Sequence, residues 1–314
     1  MLAGCGGSQP PIAAPGAMLQ TAAIATHVDR DKSWMRNSTR IDSRTTYKVT
    51  PQLLYVTNVG YEDVTVYQAK ANDREPVETI SDGLVIPTGA CVDGQGTLYV
   101  TNEPASGGWI SEYPLGKTTP SRTITDGINQ PGYCAIDAKG NLWVTNIGGP
   151  NVAEYLKGSK RPHTVITEGL ISPFGIAIDR SGNLYVGNLR GSSFHNVEVY
   201  ARGSKSPSRT ITDGVTSPMD LAVDSSGILY VPNLNQNTVA EYQSGQSDPF
   251  QTITDAIDRP GGVTVDKKGT LYVSNIGNST VVEFARGSLT PLKRQISKGL
   301  YEPYGVAYYP ALLP

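Results

Sequence analysis

Leu184-Tyr185-Val186-Gly187-Asn188 decides the fold, because the chain says it six times. Leu-aromatic-Val-x-Asn returns with its asparagine at Asn58, Asn102, Asn146, Asn188, Asn233 and Asn275, at spacings of 44, 44, 42, 45 and 42 residues. A period of roughly 40 to 50 residues built from short β-type runs is that of a propeller blade.

Working outward, a second phrase precedes each copy. Pro-x-x-x-x-x-Asp begins at Pro87, Pro131, Pro173, Pro218 and Pro260, and a sixth copy at Pro303 lacks the aspartate. The two phrases are joined by turns such as Asp179-Arg180-Ser181-Gly182. Aspartate first and glycine fourth suit a tight hairpin, since Asp bonds back to the turn and Gly accepts positive φ. After each asparagine comes a strand ending in an aromatic, as in Val197 to Tyr200, and then a fourth, as in Arg209 to Gly214. Four runs rich in Val, Ile, Thr and Tyr per period make one blade. The first Leu-Tyr-Val strand has no Pro-x-Gly strand before it, and the last Pro-x-Gly strand has none after it. The expected fold is therefore all-β: a six-bladed β-propeller of four-stranded blades, closed by the C-terminal strand joining the N-terminal blade.

Pro173-Phe174-Gly175-Ile176-Ala177-Ile178-Asp179, Gly182 to Asn188 and Asn196-Val197-Glu198-Val199-Tyr200 resemble NHL-type propeller repeats. The resemblance covers about residues 50 to 309 and implies fold more than function, since one propeller serves many chemistries. NHL repeats carry Asp where this chain carries its six asparagines, so no carboxylate ring is expected there. The asparagines are read as bracing the hairpin that follows each of them by bonding backbone.

Charged residues make up 17% of the chain and the net charge is −2, with the 26 Lys and Arg scattered. That excludes a basic nucleic-acid footprint, so no nucleic-acid partner is expected. No apolar run approaches the roughly 20 residues that span a bilayer. Leu2-Ala3-Gly4-Cys5 resembles the lipobox of bacterial lipoproteins, and Gly6 to Pro11 reads as a tether. The resemblance implies acylation of Cys5, a translation start upstream of Met1 and an extracytoplasmic, lipid-anchored or secreted protein. Residues 1–5 are then the remnant of a signal peptide, 6–48 a linker, with Trp34 and Met35 as docking side chains, and 49–314 the propeller.

Cys91 and Cys134 lie on the Pro-motif strands of successive blades, fourth and third after their prolines. The difference in parity permits a bridge without requiring one; two small buried thiols are the expected state.

Candidate ligand residues are sought where the repeat is broken, because consensus positions serve the fold. The second place after each proline holds Gly89, Gly175, Gly262 and Gly305, but also Tyr133 and Asp220. After the asparagines, Glu103, Arg190 and Asn235 replace apolar or glycine positions. These five are the ligand-contact candidates, set against ordinary variation between blades. With only His27, His163 and His195, no catalytic constellation assembles. Lys298 at the sixth outer turn, against Asp82, Asp126, Glu168, Asp213 and Asp255, argues against a shared metal ring. The expected function is a non-catalytic, membrane-tethered propeller without cofactor that binds a protein, peptide or glycan across one face. The alternative is a hydrolase or lyase of the lactonase or streptogramin-lyase kind, with a divalent cation such as Ca near Asp220 and Glu103 in the channel.

Overall fold

A computed structural model describes residues 51–70, 74–189 and 195–311. Cys5, Trp34, Met35 and Arg190, together with the proposed linker, lie outside them. Among the described residues twenty-four strands form six antiparallel sheets of four.

In each blade the Pro-motif strand is innermost. These strands are Pro303–Tyr309, Pro87–Val92, Pro131–Ile136, Pro173–Ile178, Ala222–Val223 and Pro260–Val265, which define blades one to six. Each touches the next, and the sixth touches the first, so they ring the axis. The Leu-aromatic-Val strands follow as Leu53–Asn58, Leu98–Asn102, Leu142–Asn146, Leu184–Asn188, Leu229–Asn233 and Leu271–Asn275. The third strands are Asp63–Gln68, Trp109–Tyr113, Asn151–Tyr155, Asn196–Tyr200, Thr238–Tyr242 and Thr280–Phe284. The outer ones are Pro76–Ile80, Arg122–Ile124, Thr164–Ile166, Arg209–Ile211, Gln251–Ile253 and Pro291–Ile296.

Closure is as the strand count requires. Pro303–Tyr309 pairs with Leu53–Asn58, placing Tyr309 opposite Leu53 and Val306 opposite Val56. The core lies between blades, because each sheet has two faces and both are covered. One buried cluster joins Val100 and Leu98 of blade two to Leu53, Val64 and Val66 of blade one; another joins Val273 and Val265 of blade six to Val239 and Ile253 of blade five.

Hydrogen bonds repeat between blades as well. The aromatic that ends the third strand reaches back: Tyr67, Tyr113, Tyr155, Tyr200 and Tyr242 donate their phenols to the carbonyls of Lys298, Asp82, Asp126, Glu168 and Asp213, at 2.6 to 2.7 Å. Phe284 has no hydroxyl to offer. Nearer the axis, Thr57, Thr101, Thr145 and Ser274 each accept from an N–H of their own inner strand. They donate forward to the carbonyls of Thr88, Gly132, Phe174 and Tyr304 in the next blade, at 2.6 to 2.8 Å. Gly187 and Pro232 stand at the equivalent positions of blades four and five.

The asparagines do more than expected, and mostly elsewhere. Every Oδ1 accepts a backbone N–H from the connection that precedes its blade: Tyr301, Val85, Asn129, Ile171, Thr216 and Asp258. In blades three to six Nδ2 donates to the carbonyls of Gly127, Gly169, Gly214 and Ala256 in that same connection. The following hairpin is braced too, but through its side chains: Nδ2 also meets Asn151, Asn196, Thr238 and Thr280. The backbone bonds thus go mainly to the preceding connection, while in blade two Nδ2 also meets the Trp109 carbonyl of the following hairpin, as expected. A residue accepting on one atom and donating on the other must be an amide, which accounts for Asn in place of Asp.

Cys91 and Cys134 are bonded to each other, with Cα atoms 5.7 Å apart, and are not the two free thiols expected. Cys91 lies opposite Tyr99 and Cys134 opposite Val144, on facing surfaces of blades two and three. The parity difference is what turns the two sulfurs toward one another.

Candidate functional site around the propeller axis

The inner strands pass too close for side chains at the glycine positions. A Cβ on Gly89 would lie 2.7 Å from the Cα of Tyr133, and one on Gly262 would lie 2.6 Å from the carbonyl oxygen of Tyr304. Glycine here is a packing requirement between blades, and the two departures from it mark where the axis is built differently.

Tyr133 turns inward and is 1% exposed. Its hydroxyl donates to the carbonyl of Tyr304, 3.2 Å away. Tyr304 belongs to blade one and Tyr133 to blade three, so the phenol reaches past the intervening blade two. The Phe174 ring packs edge-on against it, with centroids 5.4 Å apart at 79°. Burial raises the phenol pKa well above its usual value, and the carboxyls of Asp220 and Glu103 push the same way.

Asp220 sits where blade five is irregular: its inner strand is only Ala222–Val223, and Pro232 supplies no hydroxyl to bridge forward. The carboxylate takes over that bridge, accepting the Val263 N–H of blade six at 3.2 Å. Burial pushes its pKa well above the carboxylate range, against the lowering effect of N–H bonds from Leu221 and Val263. Burial thus disfavours the charged form of this carboxyl.

Glu103 follows Asn102 where the other blades place Val59, Ile147, Leu189, Leu234 and Ile276. Its backbone N–H keeps the common bond, to Ile86. Its carboxyl, 3% exposed, accepts the Thr88 hydroxyl at 3.3 Å, and burial raises its pKa to about 8, opposed by that bond. Three sequence candidates, Tyr133, Asp220 and Glu103, thus meet around the axis toward the end that carries the asparagines.

Asn235 stands apart, on the exposed surface of that end, and donates to Ser217 at 2.7 Å. Among the described residues no group of three or more His, Cys, Asp and Glu is placed to hold a metal ion. His163 is exposed beside its outer strand.

A further feature lies away from the broken motifs. A cavity of about 270 Å³ opens between blades three and four, lined by Trp143, Glu154 and Thr164 of one and by Arg180 and Arg202 of the other. Its signal was in the sequence, as Thr164 and Trp143, but the significance of both depends on knowing which residues lie side by side across the strands.

No protein-family model matches the chain, and no curated protein does. Among solved structures, one from a nidogen/laminin complex is similar over 82% of this chain and 98% of its own, at 17% identity and a TM-score of 0.68. A protein of unknown function from Bacteroides caccae matches over 82% and 99%, at 12% identity and a TM-score of 0.62. Hydrazine synthase of Kuenenia stuttgartiensis matches over 73% and 72%, at 17% identity and a TM-score of 0.56. At these identities the likeness is one of fold.

Proposed function

We propose that the chain is a non-catalytic binding propeller of NHL-like repeats that takes a protein or peptide partner across the asparagine end. The observation that carries this reading is that the polar departures from the repeat, Glu103, Tyr133, Asp220 and Asn235, gather at that one end. The surface above them offers the exposed side chains of Ile171 (51%), Arg259 and Asn235, and the Tyr61–Tyr301 ring pair at 5.4 Å. Tyr and Arg are the residues that carry much of the energy in protein interfaces. The nidogen/laminin structure is a precedent for the fold in a protein–protein assembly. Against the cation-dependent hydrolase or lyase, the carboxyls of Asp220 and Glu103 already accept from the Val263 N–H and the Thr88 hydroxyl, and burial raises both pKa values, which disfavours the charged form that a cation requires. Chelator is expected to leave the melting temperature unchanged; a clear drop would favour the cation reading.

A photo-reactive residue at position 171 tests the face. It is expected to crosslink one defined protein in the native envelope, while the same residue at Leu292 on an outer strand does not. Equal labelling from both positions would sink the assignment. The tether is tested separately: an alkyne fatty acid should label the full chain and fail to label Cys5→Ser. Unlabelled wild type in the soluble fraction would remove the lipoprotein reading.

A further inference from the structure

In blades one to five one residue from each strand falls in a row on the face that looks to the next blade; in blade six the row stops at Glu283, where the register of the outer strand shifts. In blade two the row is Cys91, Tyr99, Glu112 and Arg122; in blade three it is Ala135, Trp143, Glu154 and Thr164. Blade four ends its row with Val199 and Arg209, and blade five with Glu241 and Gln251. Arg122 shows what the end of the row does. Its guanidinium holds Glu112 through Nε at 2.7 Å and Nη2 at 2.6 Å, and spans to the carbonyl of Gly158 in blade three. Arg209 crosses to the carbonyl of Gln246 in the same way. Gln251 bonds Glu241, and Arg74 pairs with Glu283.

Blade three breaks the pattern. Thr164 is too short to reach across, so the space that a guanidinium fills between blades two and three is the 270 Å³ cavity between blades three and four. The Glu154 carboxylate accepts from the amide of Asn141 at 3.3 Å and meets no cation among the described residues. Trp143 stands beside it in the row; the five tyrosines at this position in the other blades are buried, while Trp143 is only half-buried and lines the opening. Gly203, the counterpart of Gly158, also lines it. The rim carries Lys139, Arg180, Arg202 and Lys205, all exposed and none in an ion pair among the described residues. The turn carboxylates Asp137 and Asp179 are already engaged, chiefly by the backbone N–H groups of their own turns.

We propose that this cavity binds the C-terminal arginine of a peptide. The guanidinium replaces the one that Thr164 fails to supply, pairing with Glu154 as Arg122 pairs with Glu112 and lying against the Trp143 ring. Once Glu154 is neutralised, the four rim cations outnumber the two turn carboxylates Asp137 and Asp179, and the excess positive charge takes the terminal carboxylate. The cavity lies just below the roughly 300 to 1,000 Å³ of small-molecule sites, a size for one residue with a long side chain. The site is independent of the asparagine end and stands or falls without it.

Calorimetric titration of the full chain with acetyl-Gly-Gly-Arg, free carboxylate intact, tests the assignment. Saturable one-to-one binding is expected, weakened about tenfold or more when the carboxylate is amidated or the arginine replaced by leucine. Thr164→Arg supplies the guanidinium from within and should abolish binding while keeping the melting temperature. If Thr164→Arg proves unstable, Glu154→Gln serves instead, and should remove the preference for arginine over leucine. No saturable binding at millimolar peptide, or binding indifferent to both Thr164→Arg and Glu154→Gln, overturns the proposal.

Discussion

At the scale of residues, stability in this propeller is carried by small polar latches set into an apolar stack. The phenol of Tyr155 on the carbonyl of Asp126 is one of five such bonds, and Phe284 interrupts the series. A net hydrogen bond contributes about 1 kcal/mol. Tyr155→Phe should therefore lower the unfolding free energy by about 1 kcal/mol, and Phe284→Tyr should raise it by a similar amount, both read from urea midpoints at unchanged slope. No change in either variant would mean the latch is a by-product of ring packing. Glu103 supplies a pH test. Its pKa rises on folding from an ordinary value near 4.5 to about 8, so the folded state holds the proton more tightly than the unfolded one. Stability is then greatest below pH 4.5 and declines as pH climbs toward 8. Glu103→Gln should flatten that decline between pH 5 and 8; parallel curves for variant and wild type would show that another group is responsible.

At the scale of elements, neighbouring blades are joined at three radii: hydroxyl bridges near the axis, apolar faces between, and tyrosine latches outside. The Cys91–Cys134 bond adds a covalent join between blades two and three, 43 residues apart in sequence. Replacing both cysteines by alanine should cost about 2 to 4 kcal/mol, measured as a lower urea midpoint than that of the oxidised wild type. A midpoint equal to that of the oxidised protein would show that packing alone holds the two blades. The blade four to five junction lacks the hydroxyl bridge, since Gly187 stands where other blades have Thr or Ser. At the next junction, where Pro232 stands, Asp220 provides a substitute. That is why an acid occurs at a position that holds glycine in four of the six blades.

At the scale of the whole molecule, the ring is held shut by one strand. Deleting residues 303–314 removes the partner of Leu53–Asn58 and exposes its inner edge next to two unsatisfied blade faces. Loss of a single cooperative unfolding transition is expected, with aggregation through the bared edge. A soluble five-and-three-quarter-blade protein that melts cooperatively would refute the idea that closure is required.

The sequence by itself determined the architecture. Its period of 42 to 45 residues, its turns and the offset of strands at its ends specify six blades and the manner of closure, because each of these is a local pattern repeated. It also marked Glu103, Tyr133 and Asp220, since a repeat makes its own exceptions visible. Only the tertiary structure decided what the exceptions do. Whether Asp220 faces a ligand or bridges to Val263 depends on a neighbour 43 residues away. Which carbonyl an asparagine holds, whether two cysteines face each other and whether a threonine leaves a cavity also depend on how blades face one another. Those contacts are long-range pairings across strands and between sheets, and a reading that runs along the chain has no direct access to them.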